Sequence, residues 1–471
     1  MQSEGIHAEL IARYQAGNYR SALALFGSLA ESDHAQLTAE SRQTIAQCYG
    51  RLGDLPSACV KFIEAAVGHI AARSPNASIC LTNASLMLDS QNCSDASEWL
   101  GLFALQLPAP CDAQIALLQS MLTRYQQAAL NDKNRDLLWA TLAAAGRFAS
   151  TRSSAHATLL SLATVMEPTP EIASVDARHS SPNTAGELIS IIVCSHRDDG
   201  FAGFERECRA AFSAGTYEVI RISDAQSMCE GYNRGAKFSS GDVLIFCHDD
   251  IEFLGDDAGD AIKRALKTAD VVVAVGASAC DGPAWWAAPV DAYQGWIAYS
   301  PEPGRYGVCI TGIPNAREQL VCGDGFLIAC NRAVAEAMPW DEATLTGFHL
   351  YDVDFLARAA VRYRVAALRD VMICHQSGGA YDNNWQEAAQ RFLAQHGGVM
   401  RAVPPDDLWT CGALYSRSEA ASVARNLANK LPLDWVGVLV SRADAIKTMA
   451  SEQCPAIYQL QHMNTQQTLL A

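Results

Sequence analysis

The sequence predicts a multidomain protein in which an all-α helical array is followed by a doubly wound, Rossmann-like α/β domain and a short helical C-terminal tail. Up to about residue 165 the chain is rich in Ala and Leu, with apolar residues at helical spacing and almost no β-branched runs. Beyond residue 187, short β-branched apolar runs recur between polar or helical stretches, as parallel strands covered by helices would. These runs are Ile189–Cys194, Val219–Ile222, Val243–Cys247 and Val271–Val275.

Length and composition restrict the functional class. A chain of 471 residues is long enough for two or three domains, and 49% hydrophobic with 18% charged residues is typical of globular proteins. The formal net charge of -16 disfavours binding to phosphate backbones and anionic membranes. We therefore expect no nucleic-acid partner.

The cysteines and the apolar segments predict a cytoplasmic protein. The 16 cysteines are scattered singly, without a CxxC pair or zinc-ligand spacing, and many lie in apolar runs. The chain start lacks a basic segment followed by an apolar core, and no stretch approaches the roughly 20 apolar residues of a membrane span. We expect free thiols in a reducing compartment, no secretory signal and no transmembrane segment.

A repeat is visible in the helical half. Gly17-Asn18-Tyr19, followed by Ala22 and Phe26, recurs as Gly53-Asp54-Leu55, followed by Ala58 and Phe62. The spacing is close to the 34 residues of the tetratricopeptide repeat, in which a glycine turn separates two helices. Residues 1–166 therefore resemble a tetratricopeptide-like domain, and a plain helical bundle is the alternative.

The remaining boundaries follow from composition. Residues 167–187 are rich in Pro, Ser and Gly, which predicts an interdomain linker. We assign 188–398 to the α/β domain and 399–471 to a helical C-terminal extension without a readable motif.

The strand Val243–Cys247 runs directly into His248, Asp249 and Asp250. Ligands of open α/β sheets collect outside the carboxyl ends of the strands, so carboxylates at this point predict a metal or substrate site. A simple turn is the alternative, because Asp is frequent in turns.

The order of motifs over about 210 residues resembles the catalytic domain of family 2 glycosyltransferases, which have the GT-A fold. The resemblance implies a loop after the first strand that holds the nucleotide, an acid after the second strand that contacts its base, and an Asn-bearing helix before the metal strand. The matching residues are Ser195, His196, Arg197, Asp224 and Asn233, and Asp249 is assigned to the same nucleotide-sugar site.

The resemblance also implies a divalent cation, Mn²⁺ or Mg²⁺, which would neutralise the leaving diphosphate. The family's Asp-x-Asp motif is present as His248-Asp249-Asp250, so Asp250 keeps the usual ligand position and His248 replaces the first acid. Bacterial capsule or polysaccharide transferases look similar in this respect. His375, which ends a late apolar run, matches a family histidine that contacts metal or diphosphate; a purely structural role is the alternative.

The general base is expected in the run Tyr351-Asp352-Val353-Asp354. It resembles the family's Glu-Asp-x-Asp signature, with Tyr351 in place of Glu. The resemblance assigns Asp352 as the base that deprotonates the acceptor hydroxyl in an inverting reaction. Asp354 is expected to support the helix start or a neighbouring contact, and an exposed capping box is the alternative for the two acids. Arg358 could pair with either acid or contact the substrate.

Three further residues complete the expected nucleotide-sugar site. Gly323 and Asp324 lie in a segment that resembles the family's acceptor-side strand, where glycine allows a sugar to approach the backbone. Trp286, next to Trp285, could offer an aromatic face to a sugar ring, although paired tryptophans are as often core residues.

These assignments predict a metal-dependent, inverting glycosyltransferase that uses a UDP-, GDP- or dTDP-sugar. Because repeat arrays bind proteins, we expect a protein acceptor, such as flagellin or another surface protein. A polysaccharide or lipid-linked acceptor and an inactive scaffold that binds partners are the alternatives, and a nucleotidyltransferase ranks last. The repeat surface could also serve a second copy of the chain in a homodimer.

Overall fold

The computed structural model divides the chain into two units, Met1–Thr151 with Trp435–Ala471, and Arg152–Asp434. The structure describes residues 3–30, 33–34, 36–105, 135–147, 149–165, 188–377, 382–400, 410–461 and 463. The predicted linker at 167–187 lies outside the described residues.

The first unit is built from helices, as its composition predicts. Its N-terminal helices are α1 Ser3–Gln15, α2 Tyr19–Gly27, α3 Ala39–Arg51, α4 Leu55–Ala71, α5 Asn76–Ser90, α6 Ser94–Ala104 and α7 Arg135–Ala145.

The two sequence copies form similar helix–turn–helix pairs. Gly17 joins α1 to α2 with φ +75°, and Gly53 joins α3 to α4 with φ +82°, a left-handed conformation that favours glycine. Asp54 then caps α4, its Oδ1 accepting a hydrogen bond from Ser57 N at 3.2 Å. The alanine and phenylalanine of each copy are buried. The assignment to tetratricopeptide repeats stays a prediction.

The second unit has an α/β architecture, which confirms the predicted fold class. Its strands are β1 Ile189–Cys194, β2 Tyr217–Ile222, β3 Val243–Cys247, β4 Ile251–Phe253, β5 Val271–Val273, β6 Val275–Ala277, β7 Tyr293–Glu302, β8 Arg305–Gly312, β9 Cys322–Gly323, β10 Leu327–Asn331, β11 Val365–Ala367, β12 Ile373–His375 and β13 Thr410–Tyr415. Its helices are α8 Ala149–Val165, which begins at the unit boundary, α9 Asp198–Ala211, α10 Met228–Phe238, α11 Ala258–Ala265, α12 Arg332–Ala337, α13 Tyr351–Ala360, α14 Asn383–His396 and α15 Arg417–Lys430.

The first sheet has six strands in the order β11-β5-β10-β3-β1-β2. Its pairs are parallel except that β10 runs antiparallel to both β3 and β5. The register pairs Leu327 with Cys247, so β10 begins at the edge where β3 ends. The chain passes through a second sheet before β10 and re-enters the first sheet at this edge, which reverses the direction of β10.

A seven-stranded second sheet was not predicted from the sequence. It follows the order β13-β8-β7-β12-β4, with β6 pairing β7 and β9. Since β3 belongs to the first sheet and β4 to the second, the run His248-Asp249-Asp250 is the crossover between the sheets. Strand β12 pairs antiparallel with β4, which sets His375 opposite Ile251, the residue after Asp250.

Strand β3 is buried on both faces. Ile245 belongs to one hydrophobic cluster, and Leu244 and Phe246 belong to another on the opposite face. All three side chains are fully buried. This packing fixes the strand and therefore the direction in which the crossover leaves it.

The C-terminal extension is divided between the units. Helix α15 belongs to the second unit and begins with a capping box between Ser416 and Glu419. Helices α16 Trp435–Gln453 and α17 Ile457–Gln461 belong to the first unit. There Arg442 Nε lies 2.8 Å from Glu98 Oε1, a nearly buried carboxylate. None of the described helices has the length and apolarity needed to cross a bilayer.

Candidate functional site

Three side chains converge at the crossover after β3. His375 Nε2 lies 3.5 Å and His248 Nδ1 3.8 Å from Asp250 Oδ1, and the two ring nitrogens are 3.3 Å apart. One ligand atom from each side chain fits within 4.8 Å of the others. A carboxylate oxygen with two imidazole nitrogens is a donor set that fits a divalent transition ion. The structure thus brings together all three residues predicted as metal ligands.

The charges within this trio are coupled. Burial opposes ionisation of Asp250, but the hydrogen bond and charge of His375 hold the pKa of its carboxyl below the usual range. Burial lowers the pKa of His375, but the hydrogen bond to Asp250 and the negative charges of Asp324 and Asp250 together outweigh it and raise this pKa. Burial, followed by the charge of His375, lowers the pKa of His248. Asp250 and His375 therefore stabilise each other's charged forms.

The middle residue of the crossover makes a different contact. Asp249 Oδ2 accepts a hydrogen bond from Ser195 Oγ at 2.6 Å, so it is tied to the loop after β1. Ser195 N donates to Ile222 O at 3.0 Å, and Arg221 Nε donates to Ser195 O at 3.0 Å. The ends of β1, β2 and β3 are thus joined in one polar network at the carboxyl edge of the sheet.

The predicted base lies at the start of α13. Asp352 Oδ2 accepts a hydrogen bond from Gly325 N at 2.9 Å, in the turn that leads into β10. Burial, and then the negative charge of Asp324, raises the pKa of Asp352 from 3.8 to about 7. A carboxyl group with this pKa exchanges a proton readily near neutral pH.

Gly325 is a site residue that the sequence analysis did not identify. A Cβ at this position would lie 2.7 Å from Asp352 Cβ and would collide with the Tyr351 hydroxyl. Only glycine therefore lets the start of α13 approach β10 this closely. The run Gly323-Asp324-Gly325 was the available signal, but only its first two residues were assigned.

Tyr351 was noted in the sequence only as the replacement of an expected glutamate. In the structure its Oη lies 2.6 Å from His248 Nε2, although the two residues are 103 positions apart. Helix α13 thus presents Tyr351 to the metal-ligand trio and Asp352 to the β10 turn. The two predicted motifs meet at this contact.

Several predicted nucleotide-site residues lie exposed at the same sheet edge, after β1 and β2. His196 and Arg197 are exposed, and Arg197 pairs with Asp199 at 2.6 Å. The exposed Asp224 lies 2.8 Å from Arg234 Nη2, and this hydrogen bond lowers the pKa of the Asp224 carboxyl. These groups leave an open polar rim beside the trio.

Three other predicted residues are engaged in packing. Asn233 donates from Nδ2 to Trp340 O and accepts from Trp340 N, both at 2.9 Å. Gly323 packs so closely that a Cβ would lie 2.6 Å from Val275 O. Trp286 is half-buried, with its ring 5.5 Å from that of Trp385. Their assignments to the nucleotide-sugar site stay predictions.

Asp354 and Arg358 form a separate buried contact. Arg358 Nη2 lies 2.7 Å from Asp354 Oδ2, and His396 Nε2 lies 2.8 Å from Asp354 Oδ1. Asp354 is nearly fully buried. Asp354 therefore ties α13 to α14, and Asp352 is left as the acid of this run that faces the turn at Gly325.

Comparisons with known proteins match the α/β part of the chain. Residues 190–396 match a family described as a glycosyltransferase-like family. A solved structure, the mannosyltransferase PcManGT from Pyrobaculum calidifontis in complex with GDP-Man and Mn²⁺, matches with a TM-score of 0.28 and 12% identity, covering 65% of this chain and 93% of that chain. No curated protein matches this chain. Residues 190–396, which carry the trio and Asp352, are thus similar to a glycosyltransferase-like family.

Proposed function

We propose that the glycosyltransferase-like domain at residues 190–396 transfers a sugar from a nucleoside diphosphate donor to a hydroxyl group, with a divalent cation and with inversion. The observation that carries this proposal is the placement of Asp352, whose pKa is about 7, one residue after Tyr351, which contacts the trio of His248, Asp250 and His375. A metal-ligand set and a base candidate are thus linked through one helix start.

Asp250, His248 and His375 would hold the cation. A site with two imidazole nitrogens suits a first-row transition ion better than Mg²⁺, which prefers oxygen ligands, so we favour Mn²⁺. When bound, the cation supplies positive charge that stabilises the departing diphosphate. His375 would bind the cation as a neutral imidazole, because only an unprotonated ring nitrogen can bind a metal.

Asp352 acts as the general base. Its carboxylate takes the proton of the acceptor hydroxyl while the hydroxyl oxygen bonds to the anomeric carbon, and the bond from that carbon to the diphosphate oxygen breaks. The Gly325 N–H holds one carboxylate oxygen at 2.9 Å, which leaves the other for the hydroxyl. A base with a pKa near 7 is matched to this proton transfer at neutral pH.

The polar rim at the ends of β1 and β2 seats the nucleotide. Asp224 is exposed and kept ionised by Arg234, so it can accept hydrogen bonds from a base edge. Ser195, His196 and Arg197 lie after the neighbouring strand. The expected donor is a UDP-, GDP- or dTDP-sugar.

We propose that the helical unit binds the acceptor and that the acceptor is a protein. Its helix pairs leave apolar side chains exposed, with Leu52 at 41%, Leu86 at 38% and Val60 at 36%. Exposed apolar groups on a helical array suit a protein partner better than a polysaccharide. A cytoplasmic location and a homodimer stay predictions.

Donor turnover tests the proposed reaction. The purified chain is incubated with Mn²⁺ and each sugar nucleotide without an acceptor. Hydrolysis of the donor, in which water takes the place of the acceptor hydroxyl, is measured as released nucleoside diphosphate. We expect nucleoside diphosphate release from one donor class, and a loss of at least about 100-fold in the release rate in Asp352→Asn. The control Asp256→Ala, which removes an exposed acid paired with Arg425, should keep full activity. Turnover that survives in Asp352→Asn would exclude Asp352 as the base.

A labelled donor tests the acceptor. The chain and the donor are added to a cell extract, and the macromolecular product is treated with protease. Label released by protease supports a protein acceptor, whereas label that resists protease supports a polysaccharide.

A further inference from the structure

The two positions at which the site departs from the family pattern are in direct contact. His248 stands where the metal motif usually opens with an acid, Tyr351 stands where a glutamate usually precedes the base, and His248 Nε2 lies 2.6 Å from Tyr351 Oη. The two replacements therefore form one hydrogen-bonded pair. This pairing implies that each residue has a role that depends on the other.

His248 contacts its neighbours through both ring nitrogens. Nε2 lies 2.6 Å from the Tyr351 hydroxyl, and Nδ1 faces Asp250 and His375. The Tyr351 oxygen can accept a proton from Nε2, because a hydroxyl oxygen is an acceptor as well as a donor.

Donation from Nε2 to Tyr351 selects one tautomer of His248. A neutral imidazole carries one proton, and if that proton is on Nε2, then Nδ1 has a free lone pair. His248 Nδ1 is the atom that lies 3.8 Å from Asp250 Oδ1 and 3.3 Å from His375 Nε2. The lone pair is therefore directed into the trio. The opposite direction would place the proton on Nδ1 and block its use as a ligand.

We propose that Tyr351 is a positioning residue that holds His248 as a metal ligand through Nδ1. This role rests on the proposed metal-dependent function. Tyr351 itself is fixed by packing, because it is buried at the start of α13 and its ring lies 5.8 Å from that of Trp340. Hydrogen bonds to the second nitrogen of a ligating histidine orient the ring and raise its affinity for metal.

Binding of Mn²⁺ to the full chain, without nucleotide, tests this role independently of activity. Free Mn²⁺ is measured from its six-line electron paramagnetic resonance signal. We expect Tyr351→Phe, which keeps the ring, to lower the affinity by about 10- to 100-fold. The matched control is Tyr293→Phe, because the buried Tyr293 hydroxyl makes no hydrogen bond within the described residues. This control should bind Mn²⁺ like the wild type.

The double variant separates positioning from packing. If Tyr351 acts through His248, then Tyr351→Phe causes no further loss of Mn²⁺ affinity in a His248→Ala background. Equal Mn²⁺ affinity in the wild type and Tyr351→Phe would overturn the positioning role and leave the proposed function intact. A wild type without Mn²⁺ affinity would instead overturn the metal dependence itself.

Discussion

Asp352 Oδ2 accepts a hydrogen bond from the main-chain N–H of Gly325 at 2.9 Å. This bond joins the start of α13 to the turn that enters β10, the strand that begins opposite the end of β3. The base candidate is therefore anchored to the same sheet edge as the metal-ligand trio. Because the anchor is a main-chain group, the position of Asp352 depends on the backbone and on the absence of a side chain at Gly325.

The pH dependence of transfer should report the pKa of Asp352. Its raised value of about 7 means that the carboxylate, the active form of the base, is lost as the pH falls below 7. We expect kcat/KM to rise with pH to a plateau, with a midpoint near 7. Asp324→Asn removes a neighbouring negative charge and should move this midpoint down by up to about one pH unit. Asp260→Asn, an exposed acid on α11, should leave it unchanged.

The same raised pKa should lower stability at neutral pH. The pKa of Asp352 is about 7 in the folded chain against an ordinary 3.8. The contribution of the protonated carboxyl to the free energy of unfolding is therefore complete below pH 3.8 and is lost as the pH rises through 7. Asp352→Asn should therefore stabilise the protein by about 1–3 kcal/mol at pH 8, with a smaller gain at pH 5.5. Thermal unfolding at both pH values measures this difference, and an equal gain at both would contradict the assigned pKa.

The exposed acid after β2 should affect nucleotide binding alone. Asp224→Asn removes the carboxylate that pairs with Arg234, so we expect about a tenfold loss of nucleoside diphosphate affinity. Affinity for Mn²⁺ without nucleotide should stay the same. Glu205→Gln, which removes an exposed ion pair with Arg209 on α9, is the control. Unchanged nucleotide affinity in Asp224→Asn would remove this residue from the donor site.

The glycine turns of the first unit should be sensitive to substitution. Gly53 has φ +82°, where an added Cβ is strained although no atom lies within 4 Å, so Gly53→Ala should lower stability by about 1 kcal/mol. Gly27, the last residue of α2, also has open space but an ordinary φ. Gly27→Ala should therefore be neutral or slightly stabilising. Thermal unfolding of the two variants gives the comparison, and equal melting temperatures would refute the turn geometry.

The site at the end of β3 could be predicted because its signal is local. The apolar run Val243–Cys247 indicates a buried strand, and the residues that follow it must lie at the carboxyl edge of the sheet. The helical half was predictable in the same way, from spacing alone. The assignments of the metal ligands, of the base Asp352 and of the nucleotide-site residues relied on the family resemblance.

The contacts that complete the site depend on long-range pairing, which local patterns do not carry. His375 reaches Asp250 because the three-residue strand β12 pairs with β4 in a second sheet. Strands of this length have no detectable periodicity. The contact between His248 and Tyr351 likewise joins residues 103 positions apart. Helices α16 and α17 were predicted as helices, but an amphipathic pattern does not identify the unit against which it packs.

Calorimetry with UDP, GDP and dTDP, with and without Mn²⁺, tests the central claim most directly. The variants are Asp250→Ala and the control Asp256→Ala, an exposed acid that pairs with Arg425. The proposed donor site predicts that one nucleotide binds only with Mn²⁺, that Asp250→Ala abolishes this binding and that Asp256→Ala retains it. Binding that is independent of Mn²⁺ or survives in Asp250→Ala, or no binding of any nucleotide, would contradict a metal-dependent transferase.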